Sequence, residues 1–206
     1  MRKLLIQILL IARIILMAPF LILFFLTTEK NVIISDVKRW SRMVRLKNNS
    51  DLVNLLKLIS KDNAFVNLFY FRIQNGNLLA EILAQLYKIF YKELKTLFIY
   101  CNNCGQGLFI QHGFCTIISA DSIGENCWIN QQVTIGYSND NMNRPRIGNN
   151  VRIAAGAKIL GGVTIGNNVT VGANAVVVKN VPDNCLVVGV PAYIVKRNGV
   201  KVKELL

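Results

Sequence analysis

The chain has 206 residues, of which 52% are hydrophobic, with 24 Lys and Arg against 11 Asp and Glu for a formal charge of +13. Its length suits one domain with an appendage, or two small ones, and is enough to bury a real core. Five irregularly spaced cysteines exclude a disulfide framework, and one histidine with one C-x-x-C pair, Cys101 and Cys104, leaves a structural zinc site two ligands short, so no metal is expected.

The positive charge favours an anionic partner: nucleic acid, a phosphorylated ligand or an acidic membrane surface. Residues 1–100 carry 15 basic and 6 acidic residues, and residues 101–206 carry 9 and 5. The partner of the excess charge is therefore expected near the N-terminal half.

Residues 4–26 read LLIQILLIARIILMAPFLILFFL, interrupted only by Gln7, Arg13 and Pro19. About 20 apolar residues suffice to span a bilayer. Residues 1–30 are therefore read as a membrane-associated hydrophobic helix, either crossing the bilayer or dipping into it; a buried core helix is the alternative. Basic residues follow the run, from Lys38 to Lys47. By the positive-inside rule they place the body of the chain on the cytoplasmic face of the inner membrane. The stretch 38–47 is read as a surface for anionic headgroups; no nucleic-acid motif accompanies it.

Residues 31–100 read as helical. Ser35-Asp36 and Ser50-Asp51 resemble N-caps before amphipathic runs. Leu52, Leu55, Leu56 and Ile59 fall on one helical face, and Phe65, Leu68, Phe69 and Ile73 repeat the pattern. Asn75-Gly76 signals a turn. LLAEILAQLYKIFYKELKTLFIY is expected to form a second long amphipathic helix.

From residue 101 the composition changes. Positions 123, 129, 135, 147, 153, 159, 165, 171 and 177 are all Ile or Val. Four residues after most of them stands a small or apolar residue, such as Cys127, Val133, Val151, Ala157 or Val181. A period of six marks a hexapeptide parallel β-helix, in which each coil buries its apolar side against the next. The repeat domain is placed at 101–197, with 198–206 as a tail. A polar segment, 137–146, replaces one hexad without changing phase and is read as a loop; Pro182 and Pro191 end the pattern as a cap. Upstream, Ile117 fits the phase but position 111 is Gln, so the register slips by one residue. His112, a lone histidine and by default a structural one, lies inside that slip.

These residues resemble the hexapeptide-repeat acyltransferases, above all the serine acetyltransferase branch. The resemblance rests on NLFYFRI, IQHGF, INQQVTIG, PRIGNNVRIAAGAKILGG and VVGVPAYIVK. It implies a left-handed β-helix, a homotrimer, and acetyl-CoA bound between subunits. It matches the catalytic histidine to His112, cofactor-lining positions to Ala155 and Ala173, and phosphate-binding residues to Lys196 and Lys179. It places the acceptor near Gln111, Asn143 and Arg144. Gln111 replaces an acidic residue of the serine-specific enzymes, and Leu97 stands near the position of an aspartate that orients the histidine.

The expected activity is acetyl-CoA-dependent O-acetyl transfer with His112 as general base. The loss of the carboxylate at Gln111 directs the expectation to a sugar hydroxyl of a surface glycan or its lipid-linked precursor. Serine O-acetyl transfer is the alternative, and a non-catalytic scaffold is the reading from another class. Cys115, near His112, is read as structural because direct transfer needs no covalent intermediate.

Overall fold

A computed structural model describes residues 16–47, 49–74, 76–138 and 142–206. Five helices come first: α1 (residues 16–26), α2 (Lys30–Met43), α3 (Asp51–Lys61), α4 (Asn63–Gln74) and α5 (Leu78–Tyr87). A parallel solenoid follows, from β1 (Leu97–Cys104) to β12 (Cys185–Val188). Two antiparallel strands, β13 (Tyr193–Arg197) and β14 (Val200–Leu205), close it. The solenoid thus begins at Leu97, four residues before the expected boundary, and the C-terminal tail is part of the closing sheet.

Each coil has three faces. The first carries β3 (Thr116–Ile123), β5 (Thr134–Gly136), β8 (Lys158–Leu160) and β11 (Val176–Val177) in parallel, with β1 beside β3. The second carries the end of β3, then β6 (Arg146–Ile147) and β9 (Thr164–Ile165). The third stacks β2 (Phe109–Ile110), β4 (Trp128–Ile129), β7 (Arg152–Ile153), β10 (Thr170–Val171) and β12.

All nine β-branched hexad positions are buried, as are the apolar residues four places after them. Register shows why: Ile135 pairs with Ile159, which pairs with Val177, so each residue stacks on its equivalent in the next coil. At one corner the asparagines form a ladder. Asn150 Nδ2 donates to Asn168 Oδ1 at 3.2 Å and Asn168 Nδ2 to Asn184 Oδ1 at 3.0 Å. All three have positive φ, a conformation asparagine tolerates better than most residues.

The helical region differs from the sequence reading in three places. Asp36 is not a cap: α2 begins at Lys30 and Asp36 lies inside it, buried. Ser50 precedes α3 but makes no side-chain cap bond. The long run after Asn77 is helical only to Tyr87, then turns and becomes β1. Alternation takes over there, since Leu97 and Cys101 point inward while Phe98 and Tyr100 are exposed.

The hydrophobic N-terminal run is described from residue 16. Phe20, Leu23 and Phe24 of α1 are buried, and the Phe20 ring packs on Phe69, Tyr70 and Tyr91. The described part of the run thus sits with one face in the helical core. Among the described residues no helix is long and apolar enough to cross a membrane; residues 4–15 of the expected membrane segment lie outside them.

Helices and solenoid are joined by a buried ion pair. Arg72 Nε donates to Asp36 Oδ2 at 2.8 Å, and both side chains are 2% exposed. Arg72 also donates to the carbonyls of Cys104 and Gly105, while Asp36 Oδ1 accepts from the amides of Gly107 and Leu108. Burial pushes the Asp36 carboxyl up, and the guanidinium and the two amides pull it back. Four N–H donors converge on the two oxygens, so the carboxylate is the form this geometry fits.

Removing one partner strands the other charge. Asp36→Ala is expected to cost about 3–5 kcal/mol of folding stability, read from the midpoint of urea unfolding. Asp36→Leu combined with Arg72→Met should recover part of that loss.

Candidate active site

The corner between β2 and β3 departs from the regular coil. His112, Gly113 and Cys115 have φ of 66°, 62° and 52°, where other corners have one such residue. The extra length changes the expected register. Ile118, not Ile117, stacks on Ile135; Ile118 is fully buried and Ile117 is 43% exposed. A left-handed backbone at a non-glycine residue is strained, and strain of this kind gathers at functional sites. The corner puts His112 in solvent at the edge of the coil.

Its neighbour is held from below. Trp128 Nε1 donates to Gln111 Oε1 at 3.2 Å, and the Arg152 guanidinium lies 4.1 Å over the Trp128 ring. With its oxygen occupied, the Gln111 amide turns its nitrogen to His112, and the two Nε2 atoms are 3.5 Å apart. An amide nitrogen only donates, so His112 Nε2 faces it as an acceptor and the ring proton belongs on Nδ1. At 3.5 Å the bond is weak, which leaves Nε2 ready for a better donor.

A carboxylate comes from an unexpected place. Asp62 begins α4, and its Oδ1 accepts from the amides of Ala64 and Phe65. A side chain on Gly113 would sit 2.9 Å from Ala64 Cβ, so the missing Cβ lets this turn of α4 press against the His112 corner. Burial pushes the Asp62 carboxyl up, and the two amides and the charge of His112 draw it partly down. Leu97, near the position of the looked-for aspartate, is buried under the same corner and brings no charge. The sequence signal of Asp62 is an Asp directly before an apolar helical run, an N-cap pattern that carries no sign of His112.

Below His112 the same corner repeats down the solenoid. Gln132 N donates to Phe114 O, Gly156 N to Gln131 O, and Asn174 N to Ala155 O. Ala155 and Ala173 therefore lie in one column with the His112 corner. At about 4.8 Å per coil, Ala173 lies roughly 14 Å below it. Asn130 Oδ1 and Gln131 Oε1 are buried at the top of the column and have no partner among the described residues. Lys158, which the sequence reading did not select, donates to Gln132 O at 2.6 Å and brings a cation to the column.

The remaining selected residues are elsewhere. Lys179 Nζ donates to Leu206 O at 2.6 Å and lines a cap groove of about 460 Å³ with Val190, Pro191 and Tyr193. Lys196 is exposed on β13 and is not among the groove residues. Arg144 reaches Asn102, beside the Arg146–Asp121 ion pair, and Asn143 lies against Gly162. Asn143 and Arg144 thus occupy the corner between the first and second faces, a different corner from that of His112. Within one chain the structure sets Gln111 against His112 and brings the start of α4, with Asp62, to the same corner without a hydrogen bond between Asp62 and the imidazole, and it leaves Arg144 apart.

Asp62→Asn keeps a capping oxygen, so its folding stability should stay close to that of the parent. Asp62→Ala loses the cap and should cost about 1 kcal/mol; chemical denaturation of the two variants measures the difference.

Residues 144–179 match the family described as bacterial transferase hexapeptide (six repeats). The serine acetyltransferase of Synechococcus elongatus is 44% identical over 104 residues, covering 49% of this chain and 43% of that protein. The serine acetyltransferase of Staphylococcus aureus is 48% identical over 101 residues, covering 48% and 47%. The matches thus span less than half the length of these relatives. Among solved structures, the Neisseria gonorrhoeae serine acetyltransferase in complex with serine superposes with a TM-score of 0.64 at 29% identity, covering 81% of this chain and 69% of that one. The soybean apoenzyme gives 0.61 at 26% identity, covering 80% and 68%. By its repeat, its solenoid and these similarities, the chain is a hexapeptide-repeat solenoid similar to the serine acetyltransferases.

Proposed function

We propose that the chain is an acetyl-CoA-dependent O-acetyltransferase whose general base is His112. The observation that carries this reading is the strained corner, which holds the imidazole outward in solvent above a column of stacked coil corners. Acetyl-CoA supplies an activated acyl group as a thioester. Lys158, on the same column, offers a cation to the negative charge of such a ligand.

His112 Nε2 takes the proton of an acceptor hydroxyl, displacing the weak contact with Gln111. The hydroxyl oxygen then bonds to the thioester carbonyl carbon. The carbon–sulfur bond breaks, and His112 passes its proton to the departing thiolate. Asp62 steadies the imidazolium formed between these two transfers.

The acceptor best supported is serine. The glycan expectation rested on Gln111 lacking a charge, and Asp62 now supplies a carboxylate for an ammonium group. The curated relatives are serine acetyltransferases, and one similar structure holds serine. The carboxylate of serine needs a cation, and Arg144 offers a guanidinium at the neighbouring corner. The two corners meet if copies associate side by side, so a trimer with sites shared between subunits completes this reading.

Thiol release from acetyl-CoA with serine as the added acceptor tests the proposal. His112→Ala should lower turnover by roughly 10²–10⁴-fold in a protein with the same melting temperature. Retention of parental turnover in that variant overturns the assignment. Asp62→Asn should raise KM for serine at least tenfold while KM for acetyl-CoA stays within twofold. Turnover with free or lipid-linked sugars, and none with serine, would restore the glycan acceptor; no turnover with either would favour the scaffold.

A further inference from the structure

α5 is apolar on almost every side. Only Ala80 and Ala84 are fully buried, yet Leu78, Ile82, Leu86 and, just beyond, Phe90 are exposed, Leu78 to 72% and Phe90 to 78%. These residues follow helical spacing and form a stripe that no other described part of the chain covers.

α1 adjoins α5. Asn77 Nδ2 donates to Leu26 O at 2.6 Å, and the Tyr91 ring meets Phe20 at 5.0 Å. The start of α5 thus touches the end of α1, and the segment after α5 touches the middle of α1. The two helices therefore adjoin at these two contacts. Ile22 and Phe25 are exposed on α1, which has no charged residue in 16–26. An apolar surface shared by two adjoining helices is uncommon on a soluble chain and marks an interaction site.

We infer that the α1–α5 face docks on the surface of an anionic phospholipid bilayer, entering its upper layer without crossing it. Charge decides for lipid over another copy of the chain. Lys30 follows α1, and Lys92 and Lys95 follow α5; all three are exposed, and none forms an ion pair among the described residues. Lys88 is already paired with Glu93, and Glu81 lies between the apolar positions as a partly exposed acid on α5. A second copy would bring like charge to the same rim, whereas acidic headgroups neutralise it. Residues 4–15, which lead directly into α1, read LLIQILLIARII and continue the apolar character in sequence. Short amphipathic helices rimmed by lysine bind at interfaces in this way.

Flotation of the full chain with vesicles tests the inference. Binding to phosphatidylglycerol–phosphatidylcholine vesicles should exceed binding to pure phosphatidylcholine at least tenfold and fall with added salt. Leu86→Glu with Phe90→Glu, both at exposed positions, should reduce vesicle binding at least tenfold. Circular dichroism, melting temperature and mass by light scattering should stay unchanged. Equal binding by the variant would mean residues upstream of α1 act alone and would overturn the role of this face. A fall in mass of the variant would assign the face to contact between copies, and absence of binding by the parent chain would equally sink the idea.

Discussion

The contact between Asp36 and Arg72 fixes how the helices meet the coils. One side chain comes from α2, the other from α4, and the backbone they hold is the entry to the first coil, Cys104 to Leu108. Such a pair stabilises little relative to an apolar replacement, but it tolerates few geometries. It therefore sets where α4 lies. Asp62 caps the start of α4 and Arg72 lies in its last turn, ten residues on, about 15 Å along the axis. Fixing Arg72 at the coil entry helps carry the start of α4, and Asp62 with it, to the corner of His112.

The same logic explains the single glycine that matters there. Gly113 follows His112 at positive φ, and the space of its absent Cβ is taken by Ala64 and Leu97. The corner is thus shaped from two sides, by its own left-handed backbone and by the first turn of α4 against it. Gln111 is fixed from a third direction through Trp128 and Arg152. The imidazole itself is left with solvent and one weak contact, which suits a group that must change partners.

The solenoid was legible because its signal is periodic and redundant: nine equivalent positions share one environment, and each confirms the others. The slip at His112 was legible as a fault but not in its size. Ile117 and Ile118 are both β-branched, and only a run of left-handed residues, invisible to hydrophobic periodicity, decides which points inward. Asp36 was misread because an Asp after a Ser carries the same local signal in a cap as inside a helix; its partner Arg72 is 36 residues away. The end of α5 escaped for a related reason: Tyr87, Phe90, Tyr91, Leu94 and Phe98 continue a three-and-four spacing past the point where the helix stops, and no Gly or Pro marks the turn. Asp62 is the loss that bore on function. Its capping signal was readable, but its nearness to His112 depends on how two domains pack.

A parallel solenoid resembles a one-dimensional crystal whose top and bottom layers offer the same unfilled hydrogen bonds as any layer within. Left bare, either end would seed growth of a fibre. Here the C-terminal end reverses strand direction in β13 and β14, so the next layer no longer matches a parallel coil. At the other end α4 covers β1, and the Asn67 side chain takes up the carbonyl of Leu97. Axial growth is thereby terminated at both poles. The flank of the prism carries no open strand edge of this kind, and that flank is where the His112 corner opens.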